Sequence, residues 1–165
     1  MATFKNNPIT LIGEQLHVGD KAPNFKVIGN DLSLVTLEDF KGKNKLISVI
    51  PSIDTGVCDT QTRHFNQQAH DLDNTVVLTI SMDLPFAQRR WCGASGLDNV
   101  ITLSDHLWAD FGQKYGVLIE ELRLLSRSVF VIDAHDTIQY VQYVQESSDH
   151  PNYDQALDAL KSLSK

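Results

Sequence analysis

Apolar runs and helix-like segments alternate through the first half of the chain. Leu46–Ile50 and Thr75–Ser81 are short runs rich in apolar and β-branched residues, which predicts two buried strands. Between them, Asp59–Leu72 carries apolar residues at helical spacing. The order strand, helix, strand predicts a βαβ unit with parallel strands and a right-handed crossover.

Shorter elements flank this unit. Asn6-Asn7 lies between two β-prone segments and predicts an N-terminal hairpin within residues 3–12. Pro85 suits the first turn of a helix that continues through Phe86–Trp91, with Gly93 as its C-terminal cap. The other predicted elements are strands at Phe25–Ile28, Leu32–Leu37, Val100–Leu103, Ser128–Ile132 and Thr137–Val144, an amphipathic helix from Leu107 to Tyr115 closed by Gly116, loops at Gly93–Asn99 and Val117–Arg127, and a last helix after Asp149-His150-Pro151.

This order of elements is that of an α/β protein with a thioredoxin-like fold and an N-terminal β-hairpin extension. The strands on either side of Asp133–Asp136 should form an antiparallel hairpin. A length of 165 residues is enough for one domain with a real core and too short for two ordinary ones. We therefore expect a single domain over residues 1–165.

Composition narrows the classes of function. Hydrophobic residues make up 42% of the chain and charged residues 21%, as in globular proteins. The formal charge of −7 argues against nucleic acid and anionic membranes as partners. No apolar stretch approaches the length of a membrane span, and the first residues lack the pattern of a signal peptide. The expected compartment is a reducing cytoplasm.

Cys58 is the first candidate for chemistry, because it lies where the strand Leu46–Ile50 gives way to a helix. Unpaired N–H groups and the helix dipole favour an anion at that position, and for a cysteine the anion is the nucleophilic thiolate. Thr55 could donate a hydrogen bond to it, and Pro51 fixes the backbone where the loop begins. The alternative is a structural cysteine in an apolar helix stripe. Both interpretations remain open from this loop alone.

Two further residues are candidates for the same site. Cys92, the only other cysteine, could be a half-buried structural thiol or the resolving partner of a reactive Cys58. Arg127 immediately precedes the strand Ser128–Ile132, where its guanidinium could stabilise a thiolate or could simply be solvated. Arg63 and Arg123 are weaker candidates for that role.

Metal binding and dithiol exchange receive no support from the sequence. His64 and His70 are the nearest histidine pair, and their separation does not place them on one helix face. A Cys-x-x-Cys pair is absent, which argues against a thioredoxin-type redox motif. We predict no metal site.

The residues around Cys58 resemble those of a known family. Pro51-x-x-x-Thr55-x-x-Cys58 is similar to the active-site motif of the peroxiredoxins, and the full string Pro-Ser-Ile-Asp-Thr-Gly-Val-Cys resembles their bacterial thiol peroxidase subfamily, which are atypical 2-Cys peroxiredoxins. The resemblance covers essentially the whole chain. Further matching segments are Asp73–Leu78, Asp83–Gln88, Gly96–Val100, Arg127 and Val129–Asp133.

The resemblance implies a function and a set of roles. Cys58 would be the peroxidatic cysteine and Cys92 the resolving cysteine of the same subunit, joined as a Cys58–Cys92 disulfide after oxidation. Thr55 and Arg127 would activate the thiolate, and Pro51 would shield it. The chain would reduce hydrogen peroxide and alkyl hydroperoxides to water and alcohols in antioxidant defence and redox homeostasis.

The resemblance also implies a homodimer, thioredoxin as reductant and no cofactor. A peroxide-sensing relay is a variation on the same chemistry. Two other classes stay open from the residues themselves. These are a redox-inert thioredoxin-like binding protein and a general disulfide oxidoreductase.

Overall fold

A seven-stranded sheet with helices on both faces forms the centre of the molecule. The computed structural model describes residues 2–69, 71–95 and 100–163. Its strands are β1 (Thr3–Phe4), β2 (Asn7–Pro8), β3 (Leu11–Ile12), β4 (Lys26–Ile28), β5 (Leu34–Thr36), β6 (Asn44–Val49), β7 (Thr75–Ser81), β8 (Ile101–Ser104), β9 (Leu118–Ile119), β10 (Ser128–Ile132) and β11 (Ile138–Tyr143). Its helices are α1 (Gly56–Ala69), α2 (Pro85–Ser95), α3 (Asp110–Lys114) and α4 (Tyr153–Leu163), with a 3₁₀ turn at Leu37–Phe40.

The order of strands in the main sheet is β11-β10-β6-β7-β8-β4-β5. The neighbours β6, β7 and β8 are parallel, and β6 and β7 are joined through α1, which confirms the predicted βαβ unit. The antiparallel pair β10 and β11 confirms the predicted hairpin, and β10 also pairs antiparallel with β6. The peptides just before β10 and just after β6 therefore lie side by side.

Successive side chains of the central strands point to opposite faces of the sheet, which divides the core into two layers. In β10, Val129 packs with Phe65 of α1 and Leu157 of α4, whereas the next residue, Phe130, packs in the opposite layer. That opposite layer contains an aromatic group in which Phe111 and Tyr115 stack with ring centroids 4.4 Å apart. A period of two is expected of a sheet buried on both faces.

Helix α1 begins three residues before the predicted start at Asp59. The Thr55 hydroxyl oxygen accepts the Cys58 N–H at 3.2 Å, and the Thr55 carbonyl accepts the Asp59 N–H at 2.9 Å. Thr55 thus acts as an N-cap, which the prediction missed. Cys58 lies in the first turn of the helix, in agreement with its predicted place at the junction of strand and helix.

The predicted end of α2 is wrong. The prediction ended the helix at Trp91 with Gly93 as a cap, but α2 continues to Ser95 and Gly93 is helical. The Ser95 hydroxyl donates to the Cys92 carbonyl at 2.9 Å, and Arg63 donates to the Ser95 carbonyl at 2.9 Å. These contacts offset the poor helix propensity of Gly93. Residues 96–99 of the predicted loop and of the Gly96–Val100 segment lie outside the described residues.

The predicted helix from Leu107 to Tyr115 is much shorter, because α3 contains only Asp110–Lys114. Ala109 adopts a left-handed conformation with φ 51°, which stops the helix from extending backwards. Leu107 and Trp108 are consequently exposed instead of facing the core.

The N-terminal hairpin is present, but its turn is shifted by one residue. Thr3 pairs with Pro8 and Phe4 with Asn7, which leaves Lys5 and Asn6 as turn residues, both with positive φ. The rest of the predicted β segment, Leu11–Ile12, pairs instead with Leu118–Ile119, inside a stretch that the sequence predicted as loop.

Candidate active site

Cys58 occupies the first turn of α1, directly after the loop Pro51–Thr55. Its side chain is 0% exposed and packs with Ile50 and Ile53. Strand β6 ends at the carboxyl edge of the parallel strands, the loop turns the chain, and α1 then begins, with Cys58 in its N-terminal turn. Cys58 therefore combines a helix N-terminus with a protected environment.

Arg127 reaches Cys58 from the end of the neighbouring strand. Its Nη2 atom donates to the Cys58 Sγ atom at 3.0 Å, although the two residues are 69 positions apart. The pairing of β10 with β6, with Ser128 opposite Val49, brings the residue before β10 beside the loop after β6. Arg127 is only 2% exposed, so the alternative of a solvated arginine does not hold.

The other contacts of Arg127 hold the guanidinium in place. Its Nη1 atom donates to the Gln61 Oε1 atom at 2.8 Å, and its Nε atom donates to the Ser147 carbonyl at 2.9 Å. Within residues 2–69, 71–95 and 100–163, Arg127 forms no ion pair with a carboxylate. A buried cation needs a compensating charge, and a Cys58 thiolate would supply it.

The structure places Thr55 near Cys58, but with a different contact from the predicted one. The Thr55 hydroxyl oxygen accepts the Cys58 backbone N–H, and the hydroxyl is 3.5 Å from the Ser52 carbonyl as a donor. In the described part of the chain, Thr55 has no hydrogen bond to the Cys58 sulfur. Its hydroxyl is nevertheless beside the pocket, where rotation would direct it to a bound molecule.

A small cavity of about 110 Å³ opens next to this group. Pro51, Thr55 and Arg127 line it, and so do the tip residues Phe4 and Lys5 of the N-terminal hairpin. The remaining lining residues are Gly56, Val57, Ser147 and Ser148. The guanidinium and the helix N-terminus thus face a space of the size of a small substrate.

Several supporting residues were missed by the sequence analysis. Gln61 lies one turn after Cys58, is fully buried, and donates from its Nε2 atom to the Ser48 hydroxyl at 2.8 Å. A glutamine on the apolar stripe of α1 was the available signal. Asp83 accepts the Ser52 hydroxyl at 2.8 Å and the Ile53 N–H at 2.7 Å, and so anchors the loop before Cys58 to the end of β7.

Tyr153 of α4 also lies close to this group. Its ring packs on Phe65 of α1, and its hydroxyl is 2.8 Å from the Nδ1 atom of His150. Burial raises the pKa of Tyr153, while charge at Arg127 lowers this pKa and charge at Cys58 raises it. The three residues therefore share one electrostatic environment.

Cys92 lies on α2 and is half-buried. Its Sγ atom is 3.4 Å from the Thr102 hydroxyl and 3.7 Å from the Asn30 Nδ2 atom. Both cysteines are free, and their sulfurs contact different partners. The structure therefore brings Arg127, Thr55 and Pro51 to Cys58 but does not bring Cys92 to it.

The candidate residues do not suggest a metal or cofactor. In the described residues, no group of three or more His, Cys, Asp or Glu side chains is arranged to hold a metal ion. His64 packs against the Tyr153 ring, with centroids 4.4 Å apart, and His70 lies outside the described residues. Also within the described residues, the helices all fall short of the length and apolarity that crossing a bilayer requires.

Known proteins with similar sequence and structure agree with one another. The Redoxin family model matches residues 17–157. The thiol peroxidase of Oceanobacillus iheyensis is 65% identical over 158 residues, which cover 96% of each chain. The crystal structure of a peroxiredoxin-like protein from Aquifex aeolicus has a TM-score of 0.91 at 40% identity, covering 98% of this chain and 96% of that one. A thiol peroxidase from Chromobacterium violaceum shares the fold, with a TM-score of 0.84 at 24% identity over 98% and 95% of the two chains.

These matches show that the chain belongs to the Redoxin family, in its peroxiredoxin branch with a thioredoxin-like fold. Within that branch it groups with the bacterial thiol peroxidases, and it is a thiol-dependent peroxidase. The inert binding protein and the general disulfide oxidoreductase are thereby set aside.

Proposed function

We propose that Cys58 is the peroxidatic cysteine and that Arg127 and Thr55 stabilise the reaction at its sulfur. The observation that carries this proposal is the 3.0 Å contact between Arg127 Nη2 and Cys58 Sγ in a buried site. The guanidinium favours the thiolate and leaves further N–H groups for the oxygens of a hydroperoxide.

The first chemical step follows from this arrangement. The Cys58 thiolate attacks the terminal oxygen of the hydroperoxide, the O–O bond breaks, and the other oxygen leaves as an alkoxide or hydroxide that takes up a proton. Donors from Arg127 and Thr55 stabilise the charge that develops on the leaving oxygen. Pro51 covers one side of the pocket and limits the access of water. The substrates are hydrogen peroxide and alkyl hydroperoxides, and the products are water or an alcohol.

The second step restores the enzyme. Cys58 is now a sulfenic acid, and the Cys92 thiol condenses with it to form a Cys58–Cys92 disulfide within one subunit, with release of water. Thioredoxin then reduces this disulfide by thiol–disulfide exchange. Because both cysteines must return to the thiol state in every cycle, a reducing compartment such as the cytoplasm is the proposed location. The role is antioxidant defence.

Two single substitutions test these assignments. Reduced protein is mixed rapidly with hydrogen peroxide or tert-butyl hydroperoxide, and peroxide loss is followed with and without thioredoxin, its reductase and NADPH. Cys58→Ser should abolish peroxide reduction, because the nucleophile is gone. Cys92→Ser should still consume one equivalent of peroxide but should not turn over with thioredoxin. Near-wild-type turnover by either variant would refute the corresponding role.

We also propose that the chain functions as a homodimer. An exposed apolar patch supports this, formed by Leu32, Leu84, Phe86 and Leu107, each at least 48% exposed. Leu32 and Leu107 line one groove of about 200 Å³ together with Pro85, which lies between Leu84 and Phe86 in the chain. Contiguous apolar surface of this kind is typical of interaction sites.

A further inference from the structure

A polar contact joins the chain neighbours of the two cysteines. Asp59 directly follows Cys58, and Trp91 directly precedes Cys92. The Trp91 indole N–H donates to the Asp59 Oδ1 atom at 2.7 Å, so α1 and α2 are bonded to each other beside both thiols. This contact takes no part in the chemistry described above.

Arg63 extends the contact along both helices. Its Nε atom donates to the Asp59 Oδ2 atom at 3.0 Å, and its guanidinium lies 5.2 Å from the centre of the Trp91 ring. Its Nη1 atom donates to the Ser95 carbonyl at 2.9 Å, in the last turn of α2. We call the group Asp59, Arg63 and Trp91 the α1–α2 latch.

The latch fixes the direction in which Cys92 points. Trp91 and Ser95 are four residues apart and therefore lie on the same face of α2, which faces α1. Cys92 is one residue further round the helix, and its sulfur contacts Thr102 of β8 instead. As long as α2 is helical through Ser95 and held by the latch, Cys92 faces away from α1.

Trp91 also lies on the buried side of Cys58, away from the residues that line the cavity. Its side chain packs against the cluster of Ile50, Ile53 and Cys58. A disulfide requires Cα atoms within about 7 Å and facing Cβ atoms. Cys92 can therefore reach Cys58 only after Trp91 moves and the last turn of α2 unwinds, which breaks the contacts of the latch.

We propose that the α1–α2 latch sets the rate of disulfide closure, and with it the choice between turnover and overoxidation. This inference rests on the proposed roles of Cys58 and Cys92. After the first step, the Cys58 sulfenate has two fates. It takes up a proton and condenses as the sulfenic acid with the Cys92 thiol, which releases water, or a second hydroperoxide transfers an oxygen to the sulfenate, which gives a sulfinate and an alcohol or water. The latch slows the first fate and leaves the second unchanged, so a strong latch makes the enzyme more sensitive to excess peroxide.

The substitution Trp91→Phe tests this with little change in packing, because it removes the indole N–H and keeps an aromatic ring against the cluster of Ile50, Ile53 and Cys58. Trp108→Phe is the matched control, since Trp108 lies 4.6 Å from Lys26 and outside the latch. Reduced proteins are mixed with one equivalent of hydrogen peroxide or a large excess, quenched with an alkylating reagent at intervals, and analysed by mass spectrometry at Cys58 and Cys92.

In Trp91→Phe we expect disulfide formation to accelerate about three- to tenfold, which corresponds to the net contribution of one typical hydrogen bond. The sulfinate fraction at excess peroxide should fall accordingly, while the rate of the first step stays at the wild-type value. Arg63→Gln should shift both readouts in the same direction, and Trp108→Phe should shift neither. Unchanged or slower disulfide formation in both latch variants would overturn the proposal that the latch sets the rate of closure.

The same experiment separates this inference from the proposed function. If the wild-type protein forms no Cys58–Cys92 disulfide at all, the assignment of Cys92 fails and the latch fails with it. If the wild-type protein forms the disulfide and the latch variants form it no faster, only the latch fails. A general loss of stability would not reproduce the expected pattern, because it would also slow the first step.

Discussion

The residue that most constrains the site is a buried arginine that has no carboxylate partner in the part of the chain that the structure describes. Burying a guanidinium costs several kcal/mol unless an opposite charge compensates it. Without a negative partner, Arg127 would therefore destabilise the folded protein by about this amount. Gln61 and Ser147 are neutral acceptors that each take one of its N–H groups, and the Cys58 sulfur is the acceptor that can carry a negative charge. Arginine and thiolate therefore stabilise each other, and neither is easily replaced.

Arg127→Lys should separate charge from geometry. Lysine keeps the positive charge, but its ammonium group cannot contact Cys58, Gln61 and Ser147 together as the planar guanidinium does. We expect the rate of the first step to fall about 100-fold, as when a donor to a transition-state oxygen is removed. Stopped-flow measurement of peroxide consumption by the folded variant checks this, and a wild-type rate would show that charge alone suffices.

Asp105 should make the stability depend on pH. Burial raises the pKa of Asp105 from 3.8 to about 6, although the N–H groups of Phe111 and Gly112 oppose the shift. The folded carboxyl therefore binds its proton more tightly than the unfolded one, and ionisation on going from pH 4 to pH 6 lowers the free energy of unfolding. The loss is complete above the folded pKa and amounts to about 3 kcal/mol.

Asp105→Asn removes this titration. Denaturant unfolding at pH 4, 5, 6 and 7 should show the variant gaining stability relative to the wild type as pH rises, by up to about 3 kcal/mol in total. The hydrogen bond lost at Phe111 or Gly112 shifts all four values together and does not affect this trend. A difference between the two proteins that is constant from pH 4 to pH 7 would contradict the prediction.

At the scale of single residues, the sequence predicts proximity between neighbours in the chain but not the contacts between distant segments. Cys58, Thr55 and Pro51 lie within one short string, and their proximity follows from the chain itself. The contact of Arg127 depends on the pairing of β10 with β6, which hydrophobicity does not specify. Gln61 and Asp83 act through hydrogen bonds to other segments, and a single sequence carries no signal for such partners.

Among the elements, the buried strands were predicted best and the short helices worst. Thr75–Ser81 and Ser128–Ile132 match β7 and β10 to the residue, because continuous β-branched runs between turns leave few alternatives. The ends of α1, α2 and α3 are instead decided by caps and contacts at Thr55, Ser95 and Ala109. The hydrophobic periodicity of the sequence carries no information about such interactions.

One carboxylate adds several hydrogen bonds between the N-terminal hairpin and the body of the protein, beside the backbone bonds that Thr3 forms with Gln145 and Ser147. Glu146 accepts the Thr3 hydroxyl at 3.0 Å, the Asn6 N–H at 2.6 Å and the Ser148 N–H at 2.6 Å. Desolvation alone would raise the pKa of Glu146, but the hydrogen bonds outweigh it and lower this pKa to about 2. A lowered folded pKa means that the stabilisation is present above about pH 4.5 and is lost as pH falls toward 2.

Glu146→Gln should therefore loosen the hairpin without unfolding the sheet. We expect hydrogen exchange at the Asn6 amide to accelerate about tenfold at neutral pH, while the amides of β6 and β7 stay protected. Glu121→Gln is the matched control, because Glu121 accepts the Thr10 N–H and hydroxyl, each at 2.8 Å, at a different turn. Equal exchange at Asn6 in Glu146→Gln and in the wild type would show that the strand pairing alone holds the hairpin.

At the scale of the whole molecule, four distant parts of the chain meet at one end of the sheet. The hairpin tip, the loop after β6 with the start of α1, the residue before β10 and the segment Ser147–Ser148 together surround the cavity beside Cys58. The apolar patch of Leu32, Leu84, Phe86 and Leu107 lies elsewhere, around the start of α2 and the turn between β4 and β5. A partner bound to this patch would contact the first turn of the helix that carries Cys92.

The last prediction is that this patch forms the contact between two copies of the chain. Sedimentation of the reduced protein at micromolar concentration should give twice the 18.5 kDa of one chain. Leu107→Asp should shift the equilibrium to the monomer, because a charge in an apolar contact loses its hydration without gaining a partner. Leu122→Asp is the control, since Leu122 is 46% exposed and lies outside the patch. A wild-type protein that sediments only as an 18.5 kDa species would refute the dimer. If the wild type and both variants are all dimeric, the contact lies on another surface.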